Sequence, residues 1–262
     1  MIAELADRLW QAEVDRTPIP PISEAGRVLT VEDAYAVQAH NIERRVADGR
    51  VVRGRKVGLT SRRMQDLLGV DEPNFGVLVD DMFVEEGDEI PLGSMLQPRV
   101  EAEMAFVLDR DLVGPGVTTA DALAAISGVL PAIEVVDSRI ADWRITLVDT
   151  IADNASSGRV VLGGHLLPVT ALDLRLTGVL FARNGVAIES GAGAEALGNP
   201  ARCVAWLANK LGTLGSGLRR GDVVLPGALH RMVPVRPGDV FRADFAHLGS
   251  VTTRFGTAEK AA

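Results

Sequence analysis

Apolar residues recur with helical spacing in the first part of the chain. Leu5 and Leu9 fall on one face of a stretch whose other positions hold Asp, Glu and Arg, which is typical of an amphipathic helix. A second helix is predicted after Thr30, because Thr30 followed three residues later by Asp33 resembles a capping box. A third, short helix fits residues 61–68, which a glycine follows. These patterns predict a helical N-terminal segment.

From Phe75 onward the pattern changes to short runs of β-type residues separated by Gly, Pro and Asp. The runs that predict strands are 102–108, 159–162, 173–181 and 222–225, with two more near the C-terminus. Two helices interrupt them, after Thr119 and after Asn199, where Pro follows at the first helical position. Regular alternation of strand and helix is missing, which argues against a Rossmann or barrel architecture.

The length of 262 residues allows one domain or two small ones, and we expect a single unit over 1–262, with the helical segment over 1–70 and a β-rich core over 71–262. The net charge of −8 and the lack of a basic stripe argue against a nucleic-acid partner. Cys203 is the only cysteine, so a disulfide within the chain is excluded. Charges interrupt the apolar positions near the N-terminus, and no apolar run approaches the length of a membrane span. We therefore expect a cytoplasmic protein without a membrane partner.

The most informative segment for chemistry is 97–108. If it is a strand, Glu101 and Glu103 lie on one face, while Ala102 and Met104 lie on the other. Neighbouring carboxylates repel, so they require a cation, basic side chains or bulk water. A divalent metal such as Mg²⁺ or Mn²⁺ would compensate them, because hard cations bind carboxylate oxygens. The alternative is a solvated strand face whose carboxylates only keep the protein soluble.

A further carboxylate stands in the apolar run 129–136. Glu134 is flanked there by side chains that are expected to be buried. A buried carboxylate must be paired or bound to a metal, which makes Glu134 a candidate third ligand. Asp137, just beyond the run, competes for the same role.

Lys56 stands in the otherwise apolar stretch before the third predicted helix. Lysines are rarely buried, so Lys56 is either a salt-bridged residue at a sheet edge or a catalytic donor that faces an anionic substrate.

Two small polar loops are also candidates. The run 149–158 is either a turn or a loop whose Asn154 and Ser156 bind substrate. The run 226–229 is either a plain turn or a loop that offers backbone donors. The four histidines show no zinc-hydrolase spacing and there is no nucleophile elbow, so those two enzyme classes lose support.

Six motifs, in order along nearly the whole chain, resemble the 2-hydroxypenta-2,4-dienoate hydratases of the fumarylacetoacetate hydrolase superfamily. The motifs are KVGLTS, FGVLVDDM, LQPRVEAEMAFVL, LPAIEVVDSRI, DTIADNASSG and GALHRMVPV. The resemblance implies an α+β fold of the mixed β-roll type with a helical N-terminal segment. It also implies a divalent metal, Mg²⁺ or Mn²⁺, held by three carboxylates.

The resemblance assigns roles to residues of this chain. The metal ligands would be Glu101, Glu103 and Glu134. The catalytic residues would be Lys56, Asp81 and Ser156. The substrate-binding residues would be Asn154, Gly227, Ala228 and Leu229. The sequence departs from the family at Asn74, where Asp is common, at Asp137, where some members have Gly, and at Pro226, where Thr is usual.

The activity implied is metal-dependent addition of water to a 2-hydroxydienoate in aromatic meta-cleavage catabolism, which gives a 4-hydroxy-2-oxo acid. A homo-oligomer is expected from the family, as is a possible complex with a pathway decarboxylase or aldolase.

Three rival functions are considered. A 2-oxo-3-hexenedioate decarboxylase would use the same metal and would need an extra cation for the second carboxylate of its substrate. A C–C bond hydrolase would need a His–carboxylate pair, and no histidine lies near the candidate ligands in sequence. A non-catalytic partner of a decarboxylase would have no reason to keep the lysine and all three glutamates.

Overall fold

A computed structural model of the chain describes residues 1–24, 26 and 28–257, and it describes 64, 67 and 68 without their side chains. The helices are α1 Ile2–Val14, α2 Val31–Ala47, α3 Arg62–Leu68, α4 Thr119–Ala125, α5 Leu147–Ala152 and α6 Pro200–Thr213. The strands are β1 Val52–Gly58, β2 Asn74–Val79, β3 Phe83–Val84, β4 Glu89–Ile90, β5 Arg99–Leu108, β6 Ile126–Val136, β7 Ser157–Leu162, β8 Gly178–Arg183, β9 Val186–Ala192, β10 Val223–Leu225, β11 Val233–Pro234, β12 Val240–Phe245 and β13 Gly249–Phe255. Within the described part of the chain, no helix combines the length and apolarity that crossing a membrane requires.

The N-terminal helices form where the sequence predicts them. Helix α1 buries Leu5 and Leu9 against the core. Helix α2 is capped by Thr30, whose hydroxyl accepts from the Asp33 N–H at 3.1 Å while the Asp33 carboxylate accepts from the Thr30 N–H. Helix α3 ends at Gly69, which adopts the left-handed conformation that glycine tolerates.

The strands form two mixed sheets. The large sheet has the order β2-β1-β10-β5-β6-β7-β3, and β11 also pairs with β5. The smaller sheet has the order β4-β13-β12-β8-β9. Helices and strands are therefore combined without regular βαβ units, which confirms the predicted α+β class.

Two predicted elements differ from the structure. Strand β1 lies within the segment that was expected to be helical, and it pairs with β2 on one side and β10 on the other. The predicted strand 173–181 begins only at Gly178, because Asp173 starts a turn instead. Its carbonyl accepts from Thr177 N–H, and its carboxylate accepts from Arg175 N–H.

The two faces of the large sheet bury different sets of residues. One face contributes Ala102, Met104 and Phe106 to the main core. The other face carries a second apolar cluster built around Ala105, Ala132, Val160 and Leu225. Because side chains alternate along a strand, Glu101 and Glu103 lie on the face of this second cluster, and so does Lys56, whose Cα is paired with that of Leu225.

Candidate metal centre and active site

Three carboxylates converge where β5 and β6 pair. Glu101 and Glu103 share one face of β5, and the register places Glu134 of β6 directly opposite Glu101. One oxygen from each of the three side chains lies within 4.8 Å of the others. Glu103 and Glu134 are buried, whereas Glu101 is half-buried and lies at the open side of the group. We call this group the carboxylate cluster.

The carboxylate cluster is electrostatically strained without a cation. Burial, with the charge of Glu134, raises the pKa of Glu101 to about 7. Burial and the charges of Glu134 and Glu101 raise the pKa of Glu103 well above its usual range. Within the described residues, neither buried oxygen of Glu134 accepts a hydrogen bond, and only Oε1 has an ion-pair partner, the Lys56 ammonium at 3.2 Å. Three convergent carboxylates with unsatisfied oxygens are a donor set that fits a hard divalent cation.

Lys56 is the buried cation of the site. Its ammonium nitrogen lies 3.2 Å from Glu134 Oε1 and donates to the Ala155 carbonyl at 3.1 Å. Burial alone would lower the pKa of Lys56, but the charges of Glu134, Glu101 and Glu103 outweigh it and the pKa is raised. Lys56 lies on β1, which has β2 on one side and β10 on the other, and it is only 4% exposed, so it is not a residue of a sheet edge.

The turn Asn154–Ser156 is brought to the site through its backbone. The Asn154 amide is fastened to β2, because its Oδ1 accepts from Val77 N–H at 2.7 Å and its Nδ2 donates to Val77 O at 2.9 Å. The Ser156 hydroxyl is directed at Asp153 Oδ2, 3.4 Å away. These two predicted side chains thus hold the turn, and the group that reaches Lys56 is the Ala155 carbonyl. Sequence reasoning missed it because a carbonyl leaves no signature in residue type.

The loop that follows β10 contacts the carboxylate cluster with backbone donors. Gly227 N–H donates to Glu103 Oε2 at 2.8 Å, and Leu229 N–H donates to the carbonyl of Ala102 at 3.1 Å. Gly227 has φ +118°, and a Cβ there would lie 2.1 Å from Thr60 Oγ1. Only glycine fits this position. Ala228 lies between the two donors and is half-buried.

Two aspartates that the sequence offered as candidates lie elsewhere. Asp81 is exposed and pairs with Arg50 at 3.1 Å, because the antiparallel pairing of β2 with β1 sets Gly76 beside Lys56 and carries residues beyond Val79 to the far end. Asp81 is therefore removed from the proposed catalytic group. The Asp137 carboxylate accepts from the N–H groups of Leu96 and Gln97. Glu134 and not Asp137 joins Glu101 and Glu103.

Asn74 lies beside Lys56 and was not predicted as a site residue. It begins β2, is 1% exposed, and its buried Oδ1 has no hydrogen-bond partner in the described part of the chain. A Cβ built on Gly58 would lie 2.3 Å from this oxygen and 3.7 Å from Lys56 Nζ. The one sequence signal was its departure from the family pattern.

Known proteins resemble this chain in sequence and in fold. The family described as fumarylacetoacetate (FAA) hydrolase C-terminal matches residues 35–256. A 2-keto-4-pentenoate hydratase from Paraburkholderia xenovorans LB400 is 49% identical over 252 residues, 96% of this chain and 94% of that protein. The TodF product hydratase of Pseudomonas putida F1 is 47% identical over 98% of this chain and 96% of its own length.

Among solved structures, a 4-oxalocrotonate decarboxylase from Pseudomonas putida G7, complexed with magnesium and adipate, superposes with a TM-score of 0.95 at 37% identity. The match covers 97% of both chains. The similarity in fold and the similarity in sequence thus indicate the same family. The chain belongs to the fumarylacetoacetate hydrolase family, and hydratases within that family share nearly half of its residues.

Proposed function

We propose that this protein is a divalent-metal-dependent hydratase of 2-hydroxypenta-2,4-dienoate or a close 2-hydroxydienoate. The product is a 4-hydroxy-2-oxo acid, formed in cytoplasmic catabolism of aromatic compounds by meta-cleavage. The observation that carries the proposal is the carboxylate cluster with Lys56 beside it, in a chain that is 49% identical to a 2-keto-4-pentenoate hydratase.

Glu101, Glu103 and Glu134 would hold the metal, which we take to be Mg²⁺ or Mn²⁺. The Glu134 oxygens, which accept no hydrogen bond from the described residues, and the raised pKa values of Glu101 and Glu103 support this assignment. When bound, such a cation supplies Lewis-acid stabilisation to the carboxylate and C2 oxygen of a 2-oxo acid.

Lys56 is proposed to hold or move a proton at a substrate oxygen. An ammonium has three N–H donors; Lys56 donates to Ala155 O and forms an ion pair with Glu134 Oε1, which leaves donor capacity for a substrate oxygen. Acid–base assistance of this kind typically contributes about 10²–10⁴-fold to a rate.

Asn74 is proposed to orient the water that adds to the substrate. Its buried Oδ1 is a free acceptor close to Lys56. The Ser156 hydroxyl is directed towards Asp153 instead. We therefore give Ser156 and Asn154 the role of fixing the turn that carries Ala155.

The surroundings of the carboxylate cluster favour chemistry with little bulk water. Ala105, Ala132 and Leu225 are fully buried on the same sheet face. Apolar walls strengthen the interaction between a charged group and its substrate, because the local dielectric constant is low.

The test is to generate 2-hydroxypenta-2,4-dienoate in situ and to follow its ultraviolet absorbance with the purified protein. Loss of the dienoate only in the presence of Mg²⁺ or Mn²⁺, with 4-hydroxy-2-oxopentanoate identified by NMR, is the expected result. The chelator-treated protein is the control. Equal turnover with and without metal would contradict the proposal.

A decarboxylase is the second candidate, because the structure superposes so closely on one. A decarboxylase of a 2-oxo-hexenedioate needs a cation for the second carboxylate. A cleft of about 480 Å³ beside Thr60 is lined by Arg62, Arg63 and Arg202, which could meet that need. Release of CO₂ from 2-oxo-3-hexenedioate, without turnover of the dienoate, would move the assignment to this activity.

A further inference from the structure

Among the residues that the structure describes, strand β5 has no continuous strand neighbour on the side away from β6. Strand β10 pairs with Phe106 and Val107, and β11 pairs with Val100 and Arg99. The stretch between these pairs contains Glu101 and Glu103. The loop that joins β10 to β11 crosses this stretch, so the backbone that carries two proposed metal ligands depends on contacts from a loop.

The loop that joins β10 to β11 forms hydrogen bonds with both backbone groups of Ala102, the residue between Glu101 and Glu103. The Ala102 carbonyl accepts from Leu229 N–H at 3.1 Å. The Ala102 N–H donates to the imidazole Nε2 of His230 at 3.0 Å. The Nε2 atom of His230 thus takes the place of the backbone carbonyl that a neighbouring strand would provide as the acceptor.

The surroundings of His230 define its tautomer and its orientation. Because Nε2 accepts, the ring proton is on Nδ1, which donates to the Arg231 carbonyl at 2.8 Å. The ring packs on Phe181 with 4.5 Å between the centroids. Both nitrogens are engaged, so the imidazole can act on the site only through the backbone it holds.

We propose that His230 is a positioning residue that sets the direction of the two ligands on β5. This rests on the proposed function, in which Glu101 and Glu103 bind the metal. The carboxylates flank Ala102, so a shift of its peptide plane displaces both side chains together. Groups that orient metal ligands typically change metal affinity by about 10–100-fold when they are removed.

Two substitutions separate hydrogen bonding from packing. His230→Phe keeps a ring against Phe181 but removes the acceptor. His230→Gln offers an amide oxygen near the position of Nε2 and restores the acceptor. His165→Phe, at an exposed histidine, is the matched control.

The readout is the binding of Mn²⁺, followed by the electron paramagnetic resonance signal of the free ion, together with the thermal midpoint of each variant. We expect His230→Phe to weaken Mn²⁺ binding about 10–100-fold at a similar midpoint, and His230→Gln and His165→Phe to stay within about threefold of the unmodified protein. Unchanged affinity in His230→Phe would overturn the proposal.

Two further outcomes are distinct. If the unmodified protein binds no Mn²⁺, the metal-dependent function fails together with this proposal, before any variant is compared. If His230→Phe does not fold, ¹⁵N NMR of the histidines in the unmodified protein decides the matter. A protonated Nδ1 with an unprotonated Nε2 is expected, and a proton on Nε2 would overturn the proposal.

Discussion

At the scale of single residues, the chemistry is concentrated in four ionisable groups. Glu101, Glu103 and Glu134 surround Lys56, and three negative charges against one positive leave two negative charges uncompensated when all are ionised. A divalent cation would balance this excess. Lys56 therefore has two effects, since it stabilises the carboxylates and also repels the metal they attract.

Lys56→Met is expected to separate these effects. The variant keeps the apolar stem but loses the ammonium, so kcat should fall about 10²–10⁴-fold while Mn²⁺ affinity is equal or higher. Steady-state kinetics and calorimetric titration measure the two quantities. The matched control is Lys210→Met, which removes an ammonium paired with Glu72 at 2.8 Å. A variant with unchanged kcat would show that Lys56 only balances charge.

Metal binding should depend on pH through the ligands themselves. The pKa of Glu101 is raised to about 7 and that of Glu103 is raised well above normal, so metal-free protein holds protons on the carboxylate cluster at pH 6. Coordination needs carboxylates, so binding releases protons, and affinity should rise between pH 6 and pH 8 by about tenfold per unit for each proton released.

Calorimetry in two buffers of different ionisation enthalpy counts the released protons. The Glu103→Gln variant should release fewer protons when the metal binds, because it lacks one titrating ligand. An affinity that is constant from pH 6 to pH 8 would refute the protonated cluster.

At the scale of elements, the local sequence pattern predicted those features that depend only on the geometry of a single strand. The alternation along β5 placed Glu101 and Glu103 on one face, and the apolar run around Glu134 indicated a buried carboxylate. Patterns of this kind depend only on near neighbours. The apolar stretch around Lys56 left its role open, and the family resemblance supplied the catalytic assignment and the order of the motifs, but not their contacts.

What the sequence could not predict depends on contacts between distant segments. Ala102 and His230 are 128 positions apart, and Lys56 and Ala155 are 99 apart. The motif suggested Asp81 as a catalytic residue, but the pairing of β2 with β1 places it at the end of the strand pair away from Lys56. The Asn154 side chain hydrogen-bonds to the backbone of Val77, 77 positions away, which its residue type cannot reveal.

The loop after β10 should tolerate no side chain at Gly227. Gly227→Ala meets Thr60 and a strained φ, so the loop must shift and lose its N–H bond to Glu103. We expect a loss of about 1–3 kcal/mol in the free energy of unfolding and weaker Mn²⁺ binding. Chemical denaturation and titration measure both. Gly164→Ala, where no atom lies within 4 Å of the built Cβ, should behave as the unmodified protein.

At the scale of the whole molecule, the site exists only in the assembled fold. Lys56, Glu101, Glu134 and Gly227 come from four strands or loops that meet across the large sheet. An unfolded chain offers no such arrangement, so a bound metal should stabilise the native state.

At a metal concentration of 100 times Kd, linkage adds about 2.7 kcal/mol to the free energy of unfolding, which corresponds to a rise in Tm of about 5–10 °C. Differential scanning calorimetry with and without Mn²⁺ measures this. Glu103→Gln should show a much smaller rise. An equal rise in that variant would indicate that the metal binds elsewhere.

The pairing of Glu101 with Glu134 also constrains how the gene can change in length. A single codon inserted inside β5 between Glu101 and Glu103, or a one-residue slip of β6, would turn one carboxylate to the opposite face. Insertions and deletions between these strands can accumulate only in the connecting stretch 109–125, outside both ladders. Across related genes, the distances within each strand should therefore be constant while that connector varies in length.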